Sequence, residues 1–132
     1  MPQTDILIQN ARLILTMDDK RRTVPAGDVL LSGGIISAIG PGLPVSGCQI
    51  VDARGCLITP GLVNTHHHLY QTMTRAVPLA QNSSLFDWLK KLYPIWSAMR
   101  PEDFATSAKV GMAELLLSGC TTTSDHLYLF PN

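Results

Sequence analysis

The sequence is short of charge and of cysteine, and it has no long apolar run. Ten basic residues balance ten acidic ones, so the formal net charge is zero. Nucleic-acid binders and proteins held on anionic membranes carry a basic face; neither class of partner is indicated. The one basic run, Lys20-Arg21-Arg22, follows Asp18-Asp19 and reads as a solvated loop. Cys48, Cys56 and Cys120 are scattered and form no C-x-x-C, so neither a zinc knuckle nor a disulfide framework is signalled. No apolar run approaches the ~18 residues of a membrane span, and the N-terminus lacks a basic-then-apolar leader pattern. A cytoplasmic location is the expectation. What is present is a chain of 132 residues, long enough to bury a real core.

The first part reads as short strands. "DILIQNARLILT" holds two apolar stretches around Gln9-Asn10. Ala11, Leu13 and Leu15 alternate with Arg12 and Ile14, as in a half-buried strand. "GDVLLSGGIISAIG" reads as strand, turn, strand, with Ser32-Gly33-Gly34 supplying the positive φ of a tight hairpin. "PGLPVSG", residues 41–47, is a loop. "QIVDARGCLITPG" reads as a second hairpin, turning around Ala53-Arg54-Gly55. The span 1–59 is therefore expected to be a small all-β domain.

After Pro60 the pattern changes. "GLVNTHHH" is a short strand entering polar chemistry, and "QTMTRAVPLAQNSS" is a long loop without periodicity. Leu85, Trp88, Leu89, Leu92, Trp96 and Met99 have helical spacing. Ser84 and Asp87 make a capping-box-like start, and Pro94 predicts an end or kink near Tyr93. A second helix opens at Pro101 with Glu102 and Asp103 in its first turn. Its expected apolar stripe is Phe104, Ala108, Met112, Leu115 and Leu116, and Gly119 suits its left-handed cap. "CTTTSDHLYLF" reads as β-rich. The order strand, loop, helix, helix, strand is the opening of a β/α architecture.

Three consecutive histidines stand at the strand's end. Side chains alternate along a strand, so His66 and His68 point one way and His67 the other. Two imidazoles at i and i+2 can reach one metal ion. Neutral imidazole suits zinc, iron or nickel, so ligand type does not choose among them. A solvated histidine run is the alternative; the Pro-Gly and apolar strand before it and the long loop after it favour the metal, since functional residues sit on loops held by rigid strands. Rival signatures are absent: there is no H-E-x-x-H, no H-x-E with P-C-x-x-C, no G-x-S-x-G and no phosphate-cradling glycine loop.

"DARGCLITPGLVNTHHHLYQTMTR" resembles the amidohydrolase superfamily, whose members carry Pro-Gly-(apolar)-x-(Asn/Asp)-x-His-x-His at the end of the first barrel strand. "ILIQNARLILTMDD" and "GDVLLSGGIISAIG" look like the β-sandwich that accompanies the barrel in the cytosine- and guanine-deaminase-like branch. "AELLLSGCTTTSDH" looks like that branch's second barrel helix running into strand two. The implied fold is α/β: a small N-terminal β-sandwich over 1–59, then at 60–132 the first strands and helices of an incomplete (β/α)8 TIM barrel.

The resemblance also implies an activity. "HHHLYQTMTRAVPLAQ" and "SGCTTTSDHLYLFPN" are similar to enzymes that hydrolyse the exocyclic amine of a purine-like heterocycle such as 8-oxoguanine. Hydroxytriazines of the atrazine type are the alternative substrates, and a non-catalytic binding or assembly role is the alternative class. One divalent metal ion is implied, zinc first and iron second, with His66 and His68 as ligands. Gln71 and His126 fall on substrate-side positions; an amide offers both a donor and an acceptor, which suits a lactam. Tyr70 and Arg75 are further candidates to line the loop, and one of Asp125 and His126 points inward by alternation. Glu114 reads as a satisfied structural carboxylate. The family's working enzymes imply a homo-oligomer.

A (β/α)8 barrel needs about 250 residues, and the family's later ligands and acid/base groups have no counterpart before Phe130-Pro131-Asn132. The expectation is the N-terminal portion of a longer enzyme, poorly soluble and inactive alone.

Overall fold

The computed structural model describes residues 4–44 and 46–129. Val45, in the loop expected at 41–47, and Phe130-Pro131-Asn132 lie outside the described residues. The chain divides into two units, Met1–Pro60 and Gly61–Asn132.

The first unit holds β1 (Ile6–Leu15), β2 (Thr23–Ser32), β3 (Ile35–Gly40), β4 (Gln49–Asp52) and β5 (Leu57–Ile58). They form one sheet in the order β3-β2-β1-β4, with β5 also on β1. β1 is a single strand. Gln9-Asn10 does not divide it but forms a bulge: the register against β2 shifts between Ile8 and Ala11, and Asn10 has φ 64°. An extra residue is accommodated there, and asparagine tolerates the left-handed backbone better than most residues. The Asn10 N–H donates to buried Asp28 Oδ1 at 2.9 Å, and the Leu43 N–H donates to Asp28 Oδ2 at 3.0 Å. Ile14, expected to face outward, is buried with Ala11, Val29 and Ala53. Both faces of this strand are partly covered, so simple alternation does not sort its residues.

The β2–β3 hairpin follows the expected turn. Ser32 pairs with Ile35 across two glycines, and Gly33 and Gly34 have φ 57° and 81°. Two positive φ values at the centre of a two-residue loop are the type I′ geometry that a twisted hairpin favours. β2 begins earlier than its hydrophobic run and includes Pro25. β3 pairs only from Asp28 onward, so Pro25 has a partner strand on one side and its missing N–H breaks no second ladder. The second expected hairpin does not form. β4 and β5 each run parallel to β1, at Ile6–Gln9 and at Leu13–Ile14. Between them the chain steps past the bulge: Cys56 N–H donates to Ala53 O at 2.9 Å and Arg12 N–H to Cys56 O at 2.9 Å. Local turn residues marked the bend, but the edge of β1 chose the partner.

The second unit holds β6 (Leu62–Asn64), α1 (Leu85–Trp96), α2 (Pro101–Leu117) and β7 (Cys120–Thr123). β6 and β7 are parallel neighbours, the β/α opening expected from the sequence. At Gly61 a Cβ would run into the Thr121 side chain; glycine lets the two strands meet there. The expected structureless loop contains two 3₁₀ helices, Leu69–Thr74 and Pro78–Ala80. Side-chain bonds and burial hold it, not periodicity. Tyr70, Ala80, Leu92 and Trp96 form the core. Tyr70 stacks on Phe104 at 5.6 Å and meets Trp96 edge-on at 5.3 Å, geometries favoured by aromatic quadrupoles. The Trp96 indole N–H donates to Thr74 Oγ1 at 2.9 Å.

Ser84 caps α1 as expected, its hydroxyl accepting from Asp87 N–H at 3.3 Å. Pro94 does not end the helix. It sits in the last turn, Ser97 N–H still donates to Tyr93 O at 2.8 Å, and burial of Trp96 holds the turn closed. α2 starts at Pro101 and ends before Gly119, φ 83°. Its stripe differs from the expected one: Ser107 and Gly111 are the buried residues, while Met112 and Leu116 are exposed. The face of α2 that packs against the Leu69–Thr74 segment needs small residues, because two backbones approach there.

Candidate metal centre

β6 ends at Asn64, and the three histidines follow it outside any strand or helix. Asn64 organises their start. Its side-chain Oδ1 accepts the His66 N–H at 3.1 Å, and its carbonyl accepts the Ser124 N–H at 3.0 Å. The segment after β7 closes the other side. His126 N–H donates to His67 O at 2.8 Å, Ser124 Oγ donates to Thr65 O at 2.6 Å, and Leu69 N–H donates to Asp125 Oδ1 at 2.8 Å.

This framework sets the rings. His66 Nε2 and His68 Nε2 are 3.2 Å apart. His68 Nδ1 lies 2.8 Å from the carbonyl oxygen of His126. A carbonyl only accepts, so Nδ1 carries the proton, and the neutral ring presents a bare lone pair at Nε2. That lone pair faces His66 Nε2. The pair is closed either by an N–H···N hydrogen bond or by a shared cation. Two nitrogens bound at ~2.0–2.1 Å on a tetrahedral zinc lie about 3.3 Å apart, so the observed spacing fits one ion. A metal-binding imidazole also usually donates its other N–H to a carbonyl or carboxylate, as His68 does. The donor set therefore fits a divalent ion. Among the described residues, no group of three or more His, Cys, Asp or Glu is placed to hold a metal; the cluster brings two imidazole nitrogens to one point.

The other candidates fall around the pair. The His126 ring centroid is 4.9 Å from His66 and 5.5 Å from His68. Alternation predicted that only one of Asp125 and His126 would turn inward, yet both meet the histidine loop, because β7 ends at Thr123 and the chain beyond it is not a strand. Gln71 Nε2 donates to the Tyr70 hydroxyl at 3.0 Å. Tyr70 itself belongs to the core and is 1% exposed, with its ring 6.4 Å from His68; burial pushes its phenol pKa up. Arg75 does not join the cluster. Its guanidinium pairs with Glu114 at 2.7 Å and its Nε donates to Thr72 O at 3.2 Å. The hydrogen bond from Arg75 holds the Glu114 carboxyl below its ordinary value, the structural role expected of it. His67 points the other way, toward Gly111, and its Nδ1 is buried without a partner.

Sequence reasoning missed Ser107, whose hydroxyl donates to Leu69 O and Tyr70 O at 2.9 and 2.8 Å. It also missed Tyr128, with its ring 5.0 Å from His68. A serine at helical spacing from Gly111 inside an apolar stretch was the available signal for the first. Nothing local marked the second.

The amidohydrolase family model matches residues 57–129, more than half of the chain and all of the site. The chain belongs to the amidohydrolase family. This amidohydrolase chain is 51% identical over 107 residues to the 8-oxoguanine deaminase of Pseudomonas aeruginosa, a match covering 80% of this chain and 24% of that one. It is 39% identical over 134 residues to an isoxanthopterin deaminase from an unknown prokaryotic organism, covering 97% and 28%. Among solved structures, atrazine chlorohydrolase TrzN from Arthrobacter aurescens TC1, complexed with zinc, superposes with a TM-score of 0.82 at 33% identity, covering 91% of this chain and 28% of that one. The amidohydrolase chain thus spans about a quarter of the length of these relatives, 24% to 28%. Its sheet unit and its two parallel strands with two helices correspond to the sheet domain and the opening of the barrel in such enzymes.

Proposed function

We propose that this chain supplies the first two metal ligands and part of the substrate pocket of a metal-dependent aminohydrolase acting on an 8-oxoguanine-like purine. The net reaction replaces an exocyclic amine by a carbonyl, consuming water and releasing ammonia. The observation that carries the reading is the 3.2 Å spacing of His66 Nε2 and His68 Nε2, with His68 Nδ1 committed to a carbonyl. The ion we assign is a single zinc, with iron as its alternative. The chemistry a divalent ion supplies at such a site is Lewis-acid activation of water near neutral pH.

The chain's own residues hold and orient. His66 and His68 present two neutral nitrogens to one point. Gln71, with one N–H on the Tyr70 hydroxyl, keeps its carbonyl oxygen and its second N–H for the donor–acceptor edge of a lactam. The His126 imidazole stands beside the metal pair on the substrate side. Residues 1–59 form the β-sandwich part and 60–132 the start of the hydrolase barrel in this reading. A cytoplasmic location, expected from the sequence, and a homo-oligomeric state, implied by the resemblance, complete the reading.

Identity favours the purine over the triazine: 51% to the 8-oxoguanine deaminase against 37% to the hydroxydechloroatrazine ethylaminohydrolase of Pseudomonas sp. strain ADP. The test is ammonia release by the full-length gene product from 8-oxoguanine, isoxanthopterin and hydroxyatrazine, with zinc content measured on the same sample. Turnover of 8-oxoguanine, lost together with zinc in H66A and in H68A, is the expected result. Preference for the triazine would move the substrate class. Full activity in either variant at normal metal content would overturn the ligand assignment.

A further inference from the structure

We propose that Asp125 is a positioning residue for the His66–His68 pair, a role that rests on the metal site proposed above. The segment after β7 is not a strand, yet it is tied to the histidine loop at three successive residues. Ser124 N–H bonds Asn64 O, His126 N–H bonds His67 O, and His68 Nδ1–H bonds His126 O. Between Ser124 and His126 lies the one of these ties made by a carboxylate: Asp125 Oδ1 accepts the Leu69 N–H at 2.8 Å.

Leu69 is the first residue of the 3₁₀ helix Leu69–Thr74, so its N–H has no partner within that helix. His68, at the cap, offers no side-chain acceptor. Asp125 fills the gap from a distant part of the chain. His68 is then held at two points. Its ring Nδ1–H is on the His126 carbonyl, and the amide that follows it is on the neighbouring Asp125 carboxylate. Both acceptors come from consecutive residues, so one short segment sets the backbone and the tautomer of His68 together. Without the carboxylate, water takes the Leu69 N–H. The His68 backbone is then free to turn, and the Nδ1–H contact and the 3.2 Å spacing of the ring nitrogens are lost with it.

The test compares D125A, D125N and the unaltered full-length gene product. Asparagine keeps an oxygen at the position of Oδ1 and can still accept the amide. Zinc affinity is read by competition with a chromophoric chelator, and the His68 tautomer by nitrogen-15 NMR of the zinc-free, histidine-labelled protein. D125A is expected to lose about 10- to 100-fold in zinc affinity, the usual cost of an outer partner of a metal site. It should also lose the single Nδ1–H tautomer of His68, while D125N stays near the unaltered protein in both. Unaltered zinc affinity and tautomer in D125A would overturn the proposal. So would a D125N as damaged as D125A. If the unaltered protein itself holds no zinc, the metal reading fails, and the tautomer comparison alone decides the positioning role.

Discussion

The Ser107 hydroxyl, buried on α2, lies 2.9 Å from the carbonyl oxygen of Leu69, the residue that follows the last of the three histidines. The same hydroxyl reaches Tyr70 O at 2.8 Å and accepts the Met73 N–H at 3.2 Å. One small side chain thus serves three backbone groups of a segment with no strand partner. Removing it takes a hydrogen-bond partner from each of them, and the Leu69 and Tyr70 carbonyls sit in a buried place. S107A should cost about 1–3 kcal/mol in chemical denaturation, the penalty of buried unsatisfied groups. T106A, on the exposed side of α2, should stay within about 0.5 kcal/mol. Equal, small effects would mean that water reaches the Leu69–Met73 backbone.

Gly111 lies one turn along the same face. A Cβ there would stand 2.7 Å from Thr72 Oγ1 and 3.0 Å from Leu69 Cδ2. G111A should destabilise by about 1–3 kcal/mol through overpacking, against the gain in helix propensity that an alanine normally brings. The clash is specific, so the loss should shrink in a T72A background. A double-mutant cycle showing simple additivity would place the strain elsewhere.

Trp96 fixes α1 to the other end of the same segment, its indole N–H on Thr74 Oγ1. W96F removes that bond and part of a fully buried ring. A loss of about 2–4 kcal/mol is expected, below or within the range for deleting a large aromatic side chain. The near-ultraviolet circular dichroism of the aromatic cluster should change as well. An unaltered unfolding midpoint would show that the cluster packs without Trp96.

Asp103 gives a pH prediction. The Arg100 backbone N–H, donating at 2.9 Å, is the first cause of its lowered pKa, with the Arg100 side chain second. The folded carboxyl titrates below the unfolded one. Its contribution to the start of α2 is therefore full above about pH 4 and is lost as pH falls through the folded value. Carbon-13 titration of Asp103 should show a lowered midpoint. R100A should retain most of that shift, because the main-chain donor remains. A midpoint that returns to the ordinary aspartate value in R100A would assign the effect to the guanidinium.

Local reading served best where local chemistry decides. Gly33-Gly34 make their turn because only glycine takes two positive φ values without cost. Ser84 and Pro101 begin helices through their own hydroxyl and fixed φ. The H-x-H spacing placed two imidazoles together. It failed where a distant partner decides. The segment at 53–56 has the residues of a hairpin turn, but β1 offered a free edge to both β4 and β5. Pro94 has the chemistry of a stop, but Trp96 beyond it is needed in the core. The run 71–84 has no period, and its order comes from Ser107, Trp96 and Glu114, which lie 20 to 40 residues further on.

By itself the sequence determined the strand that ends at the histidines, the two helices behind it and the family to which the site belongs. Those features are written in spacing, caps and turn residues, whose preferences act over a few bonds. Tertiary structure alone decided the tautomer of His68, the acceptor on Leu69 and the closeness of His126 to the pair. Each of those is a hydrogen bond or ring contact across more than 50 residues. No local preference reports such a bond, because its geometry exists only after β6 and β7 have paired.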